Sequence, residues 1–138
     1  MQVFMPYPDL RRSVCCLDPS RIGNQIYREA KTLISGGWPN HPAAKLWADH
    51  RHALADYCLH GLAELSERGR HYEHWYQFFG EIYQSTPDTG LPPIIGHEPF
   101  HAGHRAALLA KDPDWYGQFG WTETPEPDTK RAYIWRLP

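Results

Sequence analysis

The sequence predicts an all-α fold, and three observations carry that prediction. Apolar residues recur at intervals of three and four over long stretches, while alternating apolar–polar runs of strand character are nearly absent. Proline and glycine punctuate these stretches, with Pro19 and Pro42 near helix starts and Gly36-Gly37 and Gly69 at helix ends. The 138 residues are 41% hydrophobic, enough for one core, so the chain is expected to be a single domain over residues 1–138, a compact helical bundle with long loops and an extended tail over 122–138.

Taken in order, residues 1–17 read as extended or irregular, because Pro6 and Pro8 bar an early helix. Asp18-Pro19-Ser20 is a helix start, and Ile22, Ile26, Ala30, Leu33 and Ile34 carry its apolar face to about Ser35. Trp38 to Pro42 is a turn. From Pro42 to Gly69 the stripe Leu46, Trp47, Ala53, Leu54, Tyr57, Cys58, Leu62 and Leu65 predicts one long helix. An aromatic-rich helix is expected over 71–84, a proline- and glycine-bearing loop over 85–96, and a helix from Glu98 to Lys111. Asp112-Pro113-Asp114 restarts the chain into a ring-rich turn, and Tyr133-Ile134-Trp135 reads as a short strand or a packed extended end.

Composition narrows the function. Lys and Arg number 14 against 16 Asp and Glu, a formal charge of −2, so an overall basic chain is excluded. The charge is uneven. Arg11, Arg12, Arg21, Arg28 and Lys31 face only Asp9, Asp18 and Glu29 in residues 1–35, which predicts a weak, salt-sensitive grip on phosphates confined to one face. No apolar run approaches the roughly 18 residues of a membrane span, and the N-terminal segment lacks the charged and apolar regions of a signal peptide. A cytoplasmic location is therefore expected. The three cysteines, Cys15, Cys16 and Cys58, lack CxxC spacing and read as small buried side chains of a reducing compartment.

Four features could carry chemistry. Arg21, Gln25, Arg28 and Glu29 fall at i, i+4, i+7 and i+8 of the first long helix, on one side of it. Such a face can grip phosphates while its carboxylate does acid–base work, or it can be a solvated face of Arg–Glu pairs. His97, His101 and His104 are spaced to share a helix side and, with His41, could bind zinc, contact DNA or serve structurally. Trp115, Tyr116, Phe119 and Trp121 are either core or a platform for stacked bases. The α-amine of Met1 is either an ordinary chain end or a nucleophile, since its reference pKa of about 8 leaves a fraction unprotonated at neutral pH.

These features line up with one family. The sequence resembles the pyrimidine-dimer DNA glycosylases through Tyr27-Arg28-Glu29 on an early helix and Pro113-Asp114-Trp115-Tyr116-Gly117-Gln118-Phe119-Gly120 near the C-terminus. The likeness is tighter to a bacterial and phage branch of that family, through Met1–Asp9, Leu17–Gln25, Trp38–Pro42 and Phe100–Tyr116, and it covers residues 1 to about 121. It implies a small all-α monomer acting on damaged or modified double-stranded DNA, without cofactor or metal and without a membrane partner. It implies that Glu29 is the catalytic carboxylate and the Met1 α-amine the imine-forming nucleophile. DNA contacts are expected from Arg21, Gln25, Arg28, His41, His101, His104, Arg105, Trp115, Tyr116 and Phe119. Four positions depart from the family. Gln2 stands where a small residue supplies the amine, Thr32 stands where a second basic residue follows the glutamate, and His104 and Leu108 stand where the family is basic. Two readings stay beside the glycosylase: a non-catalytic nucleic-acid or nucleotide-binding module on the same fold, and a metal-dependent enzyme built on His41, His97, His101 and His104.

Overall fold

The structure is a computed structural model, which describes residues 2–138. Helices are its only regular elements among the described residues. Leu10–Cys15 forms α1, capped by the Asp9 carboxylate accepting from the Arg12 N–H. This helix lies in a stretch expected to be irregular, and its signal is the aspartate cap one residue after Pro8.

The next rod is continuous but changes its winding. Pro19–Asn24 (α2) begins at Asp18, whose side chain accepts from the Ser20 N–H, as the Asp-Pro pair predicts. Gln25–Ala30 is π-helical, and Lys31–Ile34 (α3) returns to α geometry before the chain turns at Gly36. A π segment widens the turn and shifts which side chains share a face, and such segments recur at functional sites. Here it holds Tyr27-Arg28-Glu29.

The long helix expected from Pro42 to Gly69 is divided. Pro42–Trp47 (α4) and Arg51–Glu67 (α5) are separated at Ala48-Asp49-His50. The break is held from the far loop, where the Thr89 hydroxyl donates to the Asp49 carbonyl and His50 Nδ1 lies 3.0 Å from the Gly90 carbonyl oxygen. Glu73–Ser85 (α6) and Glu98–Lys111 (α7) follow the sequence reading closely. Pro113–Tyr116 (α8), capped by Asp112, runs into a 3₁₀ turn at Gly117–Phe119. In place of an unbroken extended tail, Thr129–Ala132 forms a short α9, and Tyr133 to Trp135 then lie half-buried without pairing as a strand.

α5 is the central element and buries Leu54, Tyr57, Cys58, Leu62 and Leu65 against α1, the π segment and α6. Trp47, Tyr57, Phe79, Phe100 and Tyr116 are the largest fully buried side chains, each contributing roughly 1.5–3 kcal/mol of burial. α9 packs tightly on α7. A β-carbon at Gly103 would lie 1.9 Å from the Ala132 carbonyl oxygen, so only glycine admits this approach. No described helix is long and apolar enough to cross a membrane.

The N-terminal segment runs extended through the core, without a partner strand, and side chains from four elements satisfy its backbone. Gln25 Nε2 donates to the Gln2 carbonyl and Gln25 Oε1 accepts from the Phe4 N–H, at 2.9 and 2.7 Å. The Tyr57 hydroxyl donates to the Phe4 carbonyl. Met5 is held at both ends, its N–H donating to His104 Nδ1 and its carbonyl accepting from His101 Nδ1, each at 2.7 Å. Arg105 then donates to the Pro6 carbonyl, and Ser13 closes the series at Tyr7. Burying a strand costs its unpaired N–H and C=O groups unless each finds a partner, and these side chains supply the partners.

Candidate active site

A cavity of about 430 Å³ opens where the π segment, the start of α4, the end of α7 and α9 converge. Its walls include Gln2, Arg21, Gln25, Glu29, His41, Lys111, Lys130, Tyr133 and Trp135. A neighbouring depression of about 400 Å³, lined by Arg28, Glu29, Thr32, Trp38 and His41, meets it at Glu29 and His41. The π segment thus places Glu29 between the two hollows and Arg28 at the edge of the second.

Glu29 is the one carboxylate lining either hollow among the described residues. Its Oε2 is shielded from solvent and has no hydrogen-bond partner among the described residues. A buried carboxylate oxygen without a partner among the described residues is free to accept from a donor that enters the cavity. Gln2 is 4% exposed, and its Nε2 likewise lacks a partner among the described residues.

Around Glu29 the hollows are basic. Arg28, Lys111 and Lys130 make no ion pair among the described residues, which leaves three positive charges for an anionic ligand. Arg21 is held at 3.1 Å by Asp18, itself 1% exposed. Asp18 is in turn bound by Tyr116, whose hydroxyl donates to Oδ1 and accepts from the Asp18 N–H at 3.0 Å. Burial, reinforced by that bond to Asp18, raises the Tyr116 phenol far above its ordinary range, so it stays a donor. Tyr133 faces the cavity, and burial pushes its phenol up to about 12. The His41 ring accepts from the Ala43 N–H through Nδ1, which puts its proton on Nε2, and burial lowers its pKa and favours the neutral ring.

The structure therefore brings together Arg21, Gln25, Arg28, Glu29 and His41 of the residues singled out in the sequence. Gln25 sits there as a clamp on the N-terminal segment, 3% exposed. The others lie elsewhere. His101 and His104 are fully buried and bind Met5, Arg105 is occupied by Glu98, Glu123 and the Pro6 carbonyl, and none of the three lines either hollow. Tyr116 is fully buried, Trp115 donates its indole N–H to the Cys16 carbonyl at 2.8 Å, and Phe119 stacks on Trp121. That ring cluster ties α8 to the α1–α2 junction instead of forming a base platform. Stacking rings nearer the site are Trp135, which meets His41 edge-on, and Trp38. Lys111, Lys130, Tyr133 and Trp135 escaped the sequence reading because they reach the site from the far end of the chain.

A metal centre on His41, His97, His101 and His104 does not form. Both ring nitrogens of His101 are taken by backbone, Nε2 accepting from the Gly96 N–H at 2.9 Å, and no group of three or more His, Cys, Asp or Glu side chains converges among the described residues. Met1, the expected nucleophile, lies outside the described residues.

A family model described as pyrimidine dimer DNA glycosylase matches residues 1–78, which include the N-terminal segment, Arg21, Tyr27-Arg28-Glu29, Trp38 and His41, while the Pro113–Gly120 motif falls beyond it. No curated protein and no solved structure matches the chain. With more than half of its length matched, including Glu29 and its neighbours on the π segment, the chain belongs to the pyrimidine dimer DNA glycosylase family.

Proposed function

We propose that the protein excises damaged or modified pyrimidines from double-stranded DNA and then cleaves the strand at the abasic site. The observation that carries this reading is that Glu29 lines two adjoining hollows, one shared with Gln2, Lys111 and Lys130 and the other with Arg28, three cations without an ion pair among the described residues. Family membership supplies the substrate class, and the groove supplies the chemistry.

In the proposed reaction the α-amine of Met1, in its unprotonated form, attacks C1′ of the damaged nucleotide. The C1′–N bond to the base breaks and the base leaves with the electron pair, taking up the proton the amine gives up; the C1′–O4′ bond then breaks with a proton passing to O4′, and an iminium joins C1′ of the opened sugar to the protein. Glu29 stabilises positive charge on the sugar ring and the iminium, and its carboxylate assists removal of the C2′ proton. The resulting β-elimination breaks the C3′–O bond and releases the 3′ phosphate; water then hydrolyses the imine. Gln2 lines the same cavity as Glu29, and the backbone clamps from Gln2 to Tyr7 hold the chain leading to the amine in one register. Arg28, Lys111 and Lys130 bind phosphates, Arg21 assists from its Asp18 anchor, and the His41 Nε2–H is a further donor.

The test is strand cleavage on duplexes carrying a pyrimidine dimer or an abasic site, with the parent and Glu29→Gln. The expected result is a loss of about 100-fold or more in rate for Glu29→Gln, with affinity for the abasic duplex changed by less than about threefold. A parent that binds both duplexes and cleaves neither would make the protein a binding module and overturn the reading.

A further inference from the structure

The link from α3 to α4, Ser-Gly-Gly-Trp-Pro-Asn-His over residues 35–41, is short and fully tied. α3 ends in a Schellman cap: the Gly36 N–H donates to the Leu33 carbonyl at 3.1 Å and the Gly37 N–H to the Thr32 carbonyl at 2.9 Å, with Gly36 at φ 82°. Three residues on, the His41 N–H donates to the Trp38 carbonyl at 2.9 Å, and the His41 ring caps α4. A β-carbon at Gly37 would lie 2.6 Å from Thr32 Cγ2 and 3.1 Å from the Thr32 carbonyl oxygen, so any side chain before Trp38 would press against Thr32.

Trp38 stands between these two fixed ends and is anomalous twice over. Its φ of 54° is the one positive value at a non-glycine among the described residues, a costly conformation for a bulky side chain. It is also 64% exposed, more than any other large hydrophobic side chain of the described residues, and does not join the core. Packing explains neither the strain nor the exposure. What the conformation achieves is placement: the indole stands at the hollow that holds Arg28, Glu29 and His41. Strain at a site edge that the surrounding hydrogen bonds over-determine is the mark of a pre-set functional side chain.

We propose that Trp38 is a stacking wedge that enters the duplex at the lesion and fills the gap left when a nucleotide swings out toward Glu29. This rests on the glycosylase reading and adds the residue that would pay for opening the stack. A nucleotide cannot present C1′ to an amine and a carboxylate while stacked in the duplex, and leaving the stack is costly. A flat side chain already held in water replaces the lost stacking surface without sequence preference, because every base has a π-face. Arg28, beside it, is placed to hold the phosphate of the opened strand.

The experiment places 2-aminopurine next to a non-cleavable tetrahydrofuran abasic site in a duplex and follows its fluorescence with the parent, Trp38→Ala and Trp38→Phe. Cleavage of a natural abasic site is then measured in duplex and in single-stranded DNA. For the parent, fluorescence is expected to rise severalfold. Trp38→Ala should lose most of that rise and about tenfold to a hundredfold of the duplex cleavage rate, with single-strand cleavage within about twofold of the parent. Trp38→Phe, which keeps a flat ring, should retain most of both. Equal duplex rates for the parent and Trp38→Ala, or equal losses on both strands, overturn the wedge and leave the glycosylase reading standing. Fluorescence that depends on Trp38 in a protein that cleaves nothing supports the wedge and overturns the chemistry. A parent that neither opens the stack nor cleaves overturns both.

Discussion

Gln25 holds Phe4 as a neighbouring β-strand would: its Oε1 accepts the Phe4 N–H at 2.7 Å while its Nε2 donates to the carbonyl of Gln2, two residues back. The clamp sits on the π segment, one turn before Glu29, so the same stretch that presents the carboxylate also fixes the path of the N-terminal chain. Gln25→Leu keeps the volume and removes both bonds, leaving a buried N–H and C=O unpaired. The expected cost is roughly 2–4 kcal/mol of stability in urea unfolding. The proposed imine chemistry adds a second outcome, a cleavage rate that falls further than affinity for the abasic duplex.

Tyr116 is expected to act through Asp18 on Arg21. Tyr116→Phe keeps the buried ring but deprives Asp18 of its hydroxyl donor, and Asp18 also holds Arg21 at 3.1 Å. Stability should fall by about 1–3 kcal/mol in thermal unfolding. Affinity for duplex DNA should weaken as Arg21 loses its anchor, and a double variant with Arg21→Ala should then show less than additive loss.

His104 gives the fold an acid-sensitive lock. Burial lowers its pKa to about 3, and the Met5 N–H needs the neutral ring as acceptor. The unfolded chain binds a proton near pH 6.5 and the native state does not, so stability is complete above pH 6.5 and declines as pH falls toward 3. The slope for one such proton is at most about 1.4 kcal/mol per pH unit. His101, lowered by burial too, adds to it in the same direction. Urea unfolding at pH 7, 6, 5 and 4 should show the decline, and His104→Asn, which keeps an acceptor near Nδ1 but does not titrate, should flatten it.

The groove cations should dominate salt dependence. Arg28→Ala, Lys111→Ala and Lys130→Ala are each expected to reduce the slope of log affinity against log salt by about 1 for duplex DNA. Lys45→Ala, an exposed lysine that lines neither hollow, should leave the slope unchanged.

What the sequence made legible was local. Asp18-Pro19 marked a helix start because cap and proline act within one turn, and Tyr27-Arg28-Glu29 pointed to the candidate site because the family motif it resembles is three contiguous residues. Distance hid the rest. Helical spacing grouped His101 and His104 correctly on one face of α7, but the Met5 backbone they hold lies 96 and 99 residues away in sequence. The break between α4 and α5 depends on Thr89 and Gly90, while the apolar stripe runs through it unaltered. Trp115, Tyr116 and Phe119 have the composition of a binding platform, and only the contacts with Cys16 and Asp18 show that they are packing and anchoring groups. Likewise a net charge of −2 concealed two adjoining hollows whose lining holds four cations and Glu29, because Lys111 and Lys130 join Arg21 and Arg28 only in the fold.

Borohydride trapping on an abasic duplex, followed by peptide mapping, shows whether the N-terminal amine works with Glu29 as the nucleophile. The expected result is a stable protein–DNA adduct carried by the peptide that begins at Met1, lost when the α-amine is blocked by acetylation. An adduct carried by Lys111 or Lys130, or no adduct from a protein that binds the duplex, would contradict it.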